Sequence, residues 1–329
     1  MILTPPASAH PVFVWQQSVW DMLTQRFPEI GHGLLFYGKQ GCGKDVFVQQ
    51  FLAWVLCANK TPQGACGQCG SCLWLKSDTH PNYVRISTDD EAKKANPQIK
   101  IEQIRELLPF VQQTVDGWRV IVIEPADALN VAAANALLKT LEEPGERVMI
   151  ILVTDHFLKL PATIRSRLQR YALDRLSSQQ AMTYVKQALP ELNEQQVCLL
   201  LNLSSDMPLQ AVALNDQVWL SKRAEFISDW QDLVIQKRLP MSYASKWAKA
   251  FAFHDFMQMF EYLLSDVICV KLNQSIKNID IDFTSLAEVY ELETLFGILT
   301  HLQESKVMLG QNVQTQLILD QLFVQLMDA

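Results

Sequence analysis

No apolar run in this 329-residue chain approaches the about 20 residues needed to cross a bilayer. Met1 to His10 carry no basic n-region and no long apolar h-region, so no secretory signal is expected and the cytoplasm is the expected compartment. Charge is scarce as well. Charged residues are 19% of the chain against 49% hydrophobic, a balance that excludes a disordered polymer and fits globular domains. Cations are the scarcer sign, with a net charge of −7. The deficit lies at the C-terminal end, where residues 216–329 hold 9 basic and 15 acidic side chains against 19 and 20 in residues 1–215. Affinity for a phosphate backbone comes mainly from Lys and Arg, so the isolated chain should repel nucleic acid. The length exceeds one ordinary core and implies two or three domains.

Of the seven cysteines, four cluster as C-x8-C-x2-C-x2-C: Cys57, Cys66, Cys69 and Cys72. Gly64, Gly67 and Gly70 lie among them and allow tight turns. Two-residue gaps let thiolates converge on a tetrahedral Zn²⁺, and four thiolates leave no open position, so such a metal is structural. Disulfides or free thiols are the alternative; a cytosolic setting argues against disulfides. Cys198 and Cys269, in apolar stretches, are expected core residues, and Cys42 a small filler.

Two absences stand out around a phosphate-binding loop. Gly38-Lys39-Gln40-Gly41-Cys42-Gly43-Lys44 follows G-x-x-x-x-G-K-[ST] up to its last letter, where Asp45 replaces the hydroxyl that would hold Mg²⁺. Farther on, Val120 to Ile123 reads as a strand that should end in two acids (a Walker B pair); Glu124 is present and Pro125 takes the place of the second. Proline has no group that accepts a proton. Two like charges ~4 Å apart cost about 4 kcal/mol at an effective dielectric near ~20, so Asp45 opposes a triphosphate, while Gly38, Gly41, Gly43 and Lys44 keep nucleotide binding open.

Periodicity predicts a helix over 12–27 with Val12, Trp15, Val19, Met22 and Leu23 as its apolar positions. Strand 33–37, a helix from Asp45 to about Cys57, strand 83–86 and a polar loop over 88–98 containing Lys93, Lys94 and Pro97 follow. A helix from Ile101 presents Ile104, Leu107, Leu108 and Val111, with Pro109 expected to kink or end it. Then come strand 118–123, a helix capped by Asn130 and stopped by Pro144-Gly145, strand 148–153, a short helix near 161–165 and strand 170–173. Strands alternating with helices, several as continuous apolar runs, indicate a parallel sheet covered on both faces. Past Asp174 the strands stop: a Ser177/Gln180 capping box opens a helix to about Leu189, helices fit 193–203 and 208–214, and from 217 the pattern is helical with Asn273–Asp282 as the main polar break. Trp219, Trp230 and Trp247 are expected in the core of this last part.

The stretch from Ala132 to Pro144 (AAANALLKTLEEP), and Leu160-Pro161-Ala162-Thr163-Ile164-Arg165-Ser166-Arg167, resemble the AAA+ subunits of the bacterial DNA polymerase III clamp loader. The resemblance covers residues 30–173 in detail and the helical remainder by order and length. It implies an α/β P-loop, RecA-like domain over 1–173 with a zinc module at 57–72, a three-helix lid at 174–215 and an all-helical collar at 216–329. Hydrolysing members keep Ser or Thr after the loop Lys, an Asp-Glu pair on the acidic strand and an Arg in the lid. Here those positions read Asp45, Glu124-Pro125 and Leu209. The chain thus resembles the non-hydrolysing member, a stator with no catalysis of its own within a DNA polymerase holoenzyme. Its implied partners are the ATP-hydrolysing gamma and tau subunits and the clamp-opening delta subunit. The sliding clamp and primer–template DNA are reached through the complex.

By the same resemblance Arg167 is an arginine finger offered in trans to a neighbour's ATP; a surface ion pair is the plainer alternative. Leu168 stands where the family usually has Cys, and Arg165 is expected to bind a carboxylate of its own chain. Lys139, Glu142 and Glu143 are either a solvated helix face or subunit contacts. Two rival functions stay open: a hydrolysing loader ATPase in which Asp45 and Asp127 replace the missing groups, and a zinc-dependent nucleic-acid-binding module.

Overall fold

The computed structural model describes residues 12–88, 97–113, 115–308 and 314–327. Lys93, Lys94 and the segment Met1–His10 lie outside the described residues. The chain forms two compact units, one up to Ala181 and one from Met182.

The first unit is an α/β domain around a five-stranded parallel sheet of order β2-β3-β4-β1-β5. In chain order it runs α1 (Gln17–Arg26), β1 (Gly33–Tyr37), α2 (Lys44–Leu56), α3 (Gly70–Lys76), β2 (Tyr83–Ile86), α4 (Ile101–Arg105), α5 (Leu107–Gln112), β3 (Arg119–Ile123), α6 (Val131–Glu142), β4 (Val148–Thr154), α7 (Ala162–Arg165) and β5 (Gln169–Ala172). Every residue of β3 and β4 is buried, as continuous apolar runs require of strands covered on both faces. The edge strands β2 and β5 include exposed positions. Because all strands run parallel, the loops that follow them lie at one end of the sheet, where α/β folds hold their sites, and β1 between β4 and β5 puts its loop beside the loops after those two strands.

Three local readings change. The N-terminal segment is a 3-10 turn, Val14–Gln16, followed by α1; Trp20 is buried there and Met22 is exposed. The helix expected from Ile101 breaks at Glu106, between α4 and α5, and Leu108 is exposed. Pro109 explains the break: it has no N–H to give the carbonyl of Arg105, four residues back. Cys198 and Cys269 are only half-buried.

The second unit is helical. After α8 (Ser178–Ala188), which spans the division, come α9 (Glu194–Leu203), α10 (Pro208–Asn215), α11 (Arg223–Ile235), α12 (Pro240–Ala250), α13 (Phe253–Lys271), α14 (Thr284–Val289), α15 (Leu292–Met308) and α16 (Thr315–Gln325). Helix α12 packs on α16, and α13 on α14 and α15. Trp219, Trp230 and Trp247 are buried. Phe226 is ringed by Trp247, Phe256, Phe260 and Phe323. The polar break before α14 is pinned by buried Asp266, which accepts from the backbone N–H of Lys277 (2.9 Å) and Asn278 (2.7 Å). No single described helix is long and apolar enough to cross a membrane.

Candidate functional site

The phosphate loop is well built as a loop. Gly43 caps α2 at φ +85°, a left-handed conformation that glycine adopts without a Cβ penalty. Trp15 Nε1 and Gln16 Nε2 each donate to the Cys42 carbonyl at 2.9 Å, so the turn before α1 anchors the loop from below. The buried Cys42 thiol is pushed up to about 12 by desolvation, which keeps it protonated and fits a filler.

Two of the groups a phosphate would use, the Lys44 ammonium and the Lys39 N–H, are already engaged. Such loops hold phosphate through the Lys ammonium and backbone N–H groups. Lys44 Nζ lies 2.5 Å from Asp155 Oδ1 and donates to the Lys39 carbonyl at 3.1 Å. Burial opposes its charge, but the Asp155 and Asp45 carboxylates act against that, and its pKa lies above the ordinary value. The backbone N–H of Lys39 donates to Asp174 Oδ2 at 3.0 Å. A Cβ on Gly38 would meet Asp174 at 3.0 Å, so glycine permits that approach. Asp155 follows β4 and Asp174 follows β5; the sequence reading missed both.

The Mg²⁺ positions are also altered. Glu124 follows β3 directly, and its pKa is pushed up to about 7 by burial first and by the neighbouring Asp45 carboxylate second. Arg85 on β2 offsets part of this, with Nη2 2.9 Å from Glu124 Oε2. Asp127 does not turn to the loop. It accepts from the Thr154 hydroxyl at 2.6 Å and lies 3.9 Å from Lys159 Nζ.

Cys57, Cys66, Cys69 and Cys72 meet, with all four sulfurs within 4.8 Å of one another. Cys57 ends α2, Cys69 caps α3 and Cys72 sits in its first turn, so two helices and a loop deliver the set. The Sγ separations are 3.9 Å (Cys57–Cys69), 4.0 Å (Cys66–Cys72) and 3.5 Å (Cys69–Cys72). A tetrahedral ion with metal–sulfur bonds of ~2.3 Å sets sulfurs about 3.8 Å apart, whereas a disulfide needs ~2.05 Å. The set can therefore hold a metal ion, with all four cysteines free. Backbone N–H donors from Cys72 and Ala58 pull the Cys69 thiol down to about 6, and those of Gln68 and Cys69 lower Cys66. Burial raises Cys57 and pushes Cys72 up to about 12.

Arg167, two residues beyond α7, is exposed. Its Nε donates to Glu142 Oε1 at 2.8 Å, its Nη2 lies 2.5 Å from the same oxygen, and its Nη1 donates to the Thr163 carbonyl at 2.9 Å. Arg165 lies over the Phe157 ring at 5.0 Å, with its Nε buried and unpaired, so an aromatic face takes the place of the expected carboxylate.

A family model described as DNA polymerase III, delta subunit, matches residues 15–177. The DNA polymerase III subunit delta' of Pseudomonas aeruginosa is 34% identical over 238 residues, 72% of this chain and 71% of that protein. The Escherichia coli subunit delta' is 30% identical over 185 residues, 56% of this chain and 54% of that protein. The Haemophilus influenzae subunit tau/gamma is 34% identical over 164 residues, 49% of this chain and 23% of that protein. Among solved structures, a Thermotoga maritima DNA polymerase III gamma subunit-related protein shares 16% identity at a TM-score of 0.44, covering 95% of this chain and 99% of that one. That score is too low to bear on the assignment. On sequence identity and coverage, the chain belongs to the DNA polymerase III subunit delta' family.

Proposed function

We propose that the chain is the non-hydrolysing stator of a DNA polymerase III clamp loader, acting in the cytoplasm and helping to load the sliding clamp onto primed DNA. One observation carries the reading: two of the chain's own carboxylates already hold the Lys44 ammonium and a loop N–H. Asp155 pairs with Lys44, Asp174 takes a loop N–H, and Asp45, in place of the hydroxyl, lies near Glu124, which is followed by Pro125. Catalysis of phosphoryl transfer is nearly all positioning and electrostatics, so the loss of the hydroxyl at Asp45 and of the second acid at Pro125 supports a chain that does not hydrolyse ATP.

In this reading the chain's contribution to chemistry is Arg167. An always-charged planar guanidinium suits the charge that develops on a transferring phosphoryl group, and fingers given in trans raise rates by ~10³–10⁵ in well-studied NTPases. The recipient is ATP on a neighbouring gamma/tau-type subunit; a delta-type subunit and the clamp complete the assembly. Zn²⁺ is the ion we assign to Cys57, Cys66, Cys69 and Cys72. It would tie the end of α2 to α3, and a closed thiolate set gives it no catalytic position. We divide the chain into a RecA-like domain (1–173), a lid (174–215) and a collar (216–329).

The test is a reconstituted loader carrying Arg167→Ala, alongside the lone chain assayed for ATP turnover. The expected results are no turnover by the lone chain, normal assembly of the variant, and at least about tenfold slower DNA-stimulated clamp loading. Unchanged ATPase and loading would remove the finger. Magnesium-dependent turnover by the lone chain, abolished by Lys44→Ala, would instead favour the hydrolysing reading.

A further inference from the structure

We infer that Glu142 is a positioning residue for Arg167, holding the guanidinium by its side edge so that its outer end points away from the chain; this rests on the reading of Arg167 as a finger. Nε and Nη2 form one edge of the guanidinium, and both reach a single oxygen, Glu142 Oε1, at 2.8 and 2.5 Å. Nη1 is fixed from the other side by the Thr163 carbonyl at 2.9 Å, with the Ser166 hydroxyl at 3.5 Å. Among the described residues, these acceptors leave an N–H of Nη2 without a partner, on a side chain that is 36% exposed. A planar fork loses less freedom on binding when its orientation is already set.

The place of Glu142 argues that it is not there for the fold. It is the last residue of α6. A carboxylate at a helix C-terminus faces the negative end of the helix dipole, and an ion pair this exposed adds little stability. Glu142 arrives on α6 and Arg167 follows α7, two helices that pack together, so their packing sets where the guanidinium points.

The experiment is a double-mutant cycle in the reconstituted loader, with assembly and thermal unfolding followed for each variant. Glu142→Ala is expected to lower kcat for DNA-stimulated ATP hydrolysis several-fold while leaving KM for ATP unchanged. Glu142→Gln, which keeps an acceptor oxygen, should recover part of the loss. In an Arg167→Ala background, Glu142→Ala should cost nothing more, because it acts through the missing guanidinium. The inference is overturned if Glu142→Ala leaves kcat unchanged or raises it, if the two losses multiply, or if the variant fails to assemble, which would make Glu142 an interface residue. An impaired Arg167→Ala with a normal Glu142→Ala removes this inference alone. A normal Arg167→Ala removes the finger as well.

Discussion

Asp155 and Asp174 stand to the loop much as phosphate oxygens would. One pairs with the Lys44 ammonium at 2.5 Å and the other accepts from the Lys39 backbone N–H at 3.0 Å. Removing both charges should expose the cradle. We expect the lone chain with Asp155→Asn and Asp174→Asn to bind ATP or inorganic phosphate at least tenfold more tightly than the unmutated chain, about 1.4 kcal/mol, and Lys44→Ala to erase the gain. Calorimetry on the isolated chain measures this; equal affinities would mean that these carboxylates do not guard the loop. Glu124 makes a separate prediction. Its folded pKa of about 7 lies above the ordinary 4.5, so ionisation is penalised in the folded state. The stability it withholds is absent below pH ~4.5, grows as pH rises and levels off above ~7. Glu124→Gln should therefore leave stability unchanged at pH 4 and raise it at pH 8 by on the order of 2–3 kcal/mol. Denaturant unfolding at the two pH values reads the difference, and a gain that is larger in acid would contradict the assignment.

At the scale of elements, the four-cysteine module is the part that depends on a ligand. Its sulfurs lie at spacings a tetrahedral ion would set, and from Cys57 through α3 it holds little buried apolar surface beyond Cys57 and Cys72. Purified chain should carry one zinc, lost on Cys66→Ser or on strong chelation. Proteolysis between residues 57 and 80 should then speed up while the sheet domain stays folded, since the β3 and β4 core packs independently of the module. Metal analysis with limited proteolysis tests this, and a metal-free chain equally resistant to protease would remove zinc. The elements that read correctly share a local cause. Asn130 accepts from the Ala133 N–H at 2.8 Å and starts α6, and the Ser177/Gln180 box opens α8. The fully apolar runs became the central strands. Misread elements had a competing local signal. Pro109 signals the kink that is found at Glu106, and the turn there leaves Leu108, expected on the apolar face, exposed. Met22 has the helical spacing of a core residue, yet Trp20 takes that side because its ring packs against Phe47, Phe51 and Trp54.

Across the whole molecule, the sequence alone determined what each segment could not do. Asp45 and Pro125 remove a hydroxyl and a carboxylate wherever the chain folds, and the cysteine spacing limits the metal to a closed set. The parallel α/β class and the helical remainder follow from periodicity, because burial on two faces or one leaves a pattern in the order of residues. Tertiary structure alone decided which charges meet. Asp155 and Asp174 lie 111 and 130 positions beyond Lys44 in the numbering. They reach the loop only because β1 lies between β4 and β5, a strand order no local pattern encodes. Likewise Glu142 and Arg167 meet through the packing of α6 and α7. Side-chain chemistry is written residue by residue, but electrostatic pairing depends on distance in space, and the topology of the sheet sets that distance.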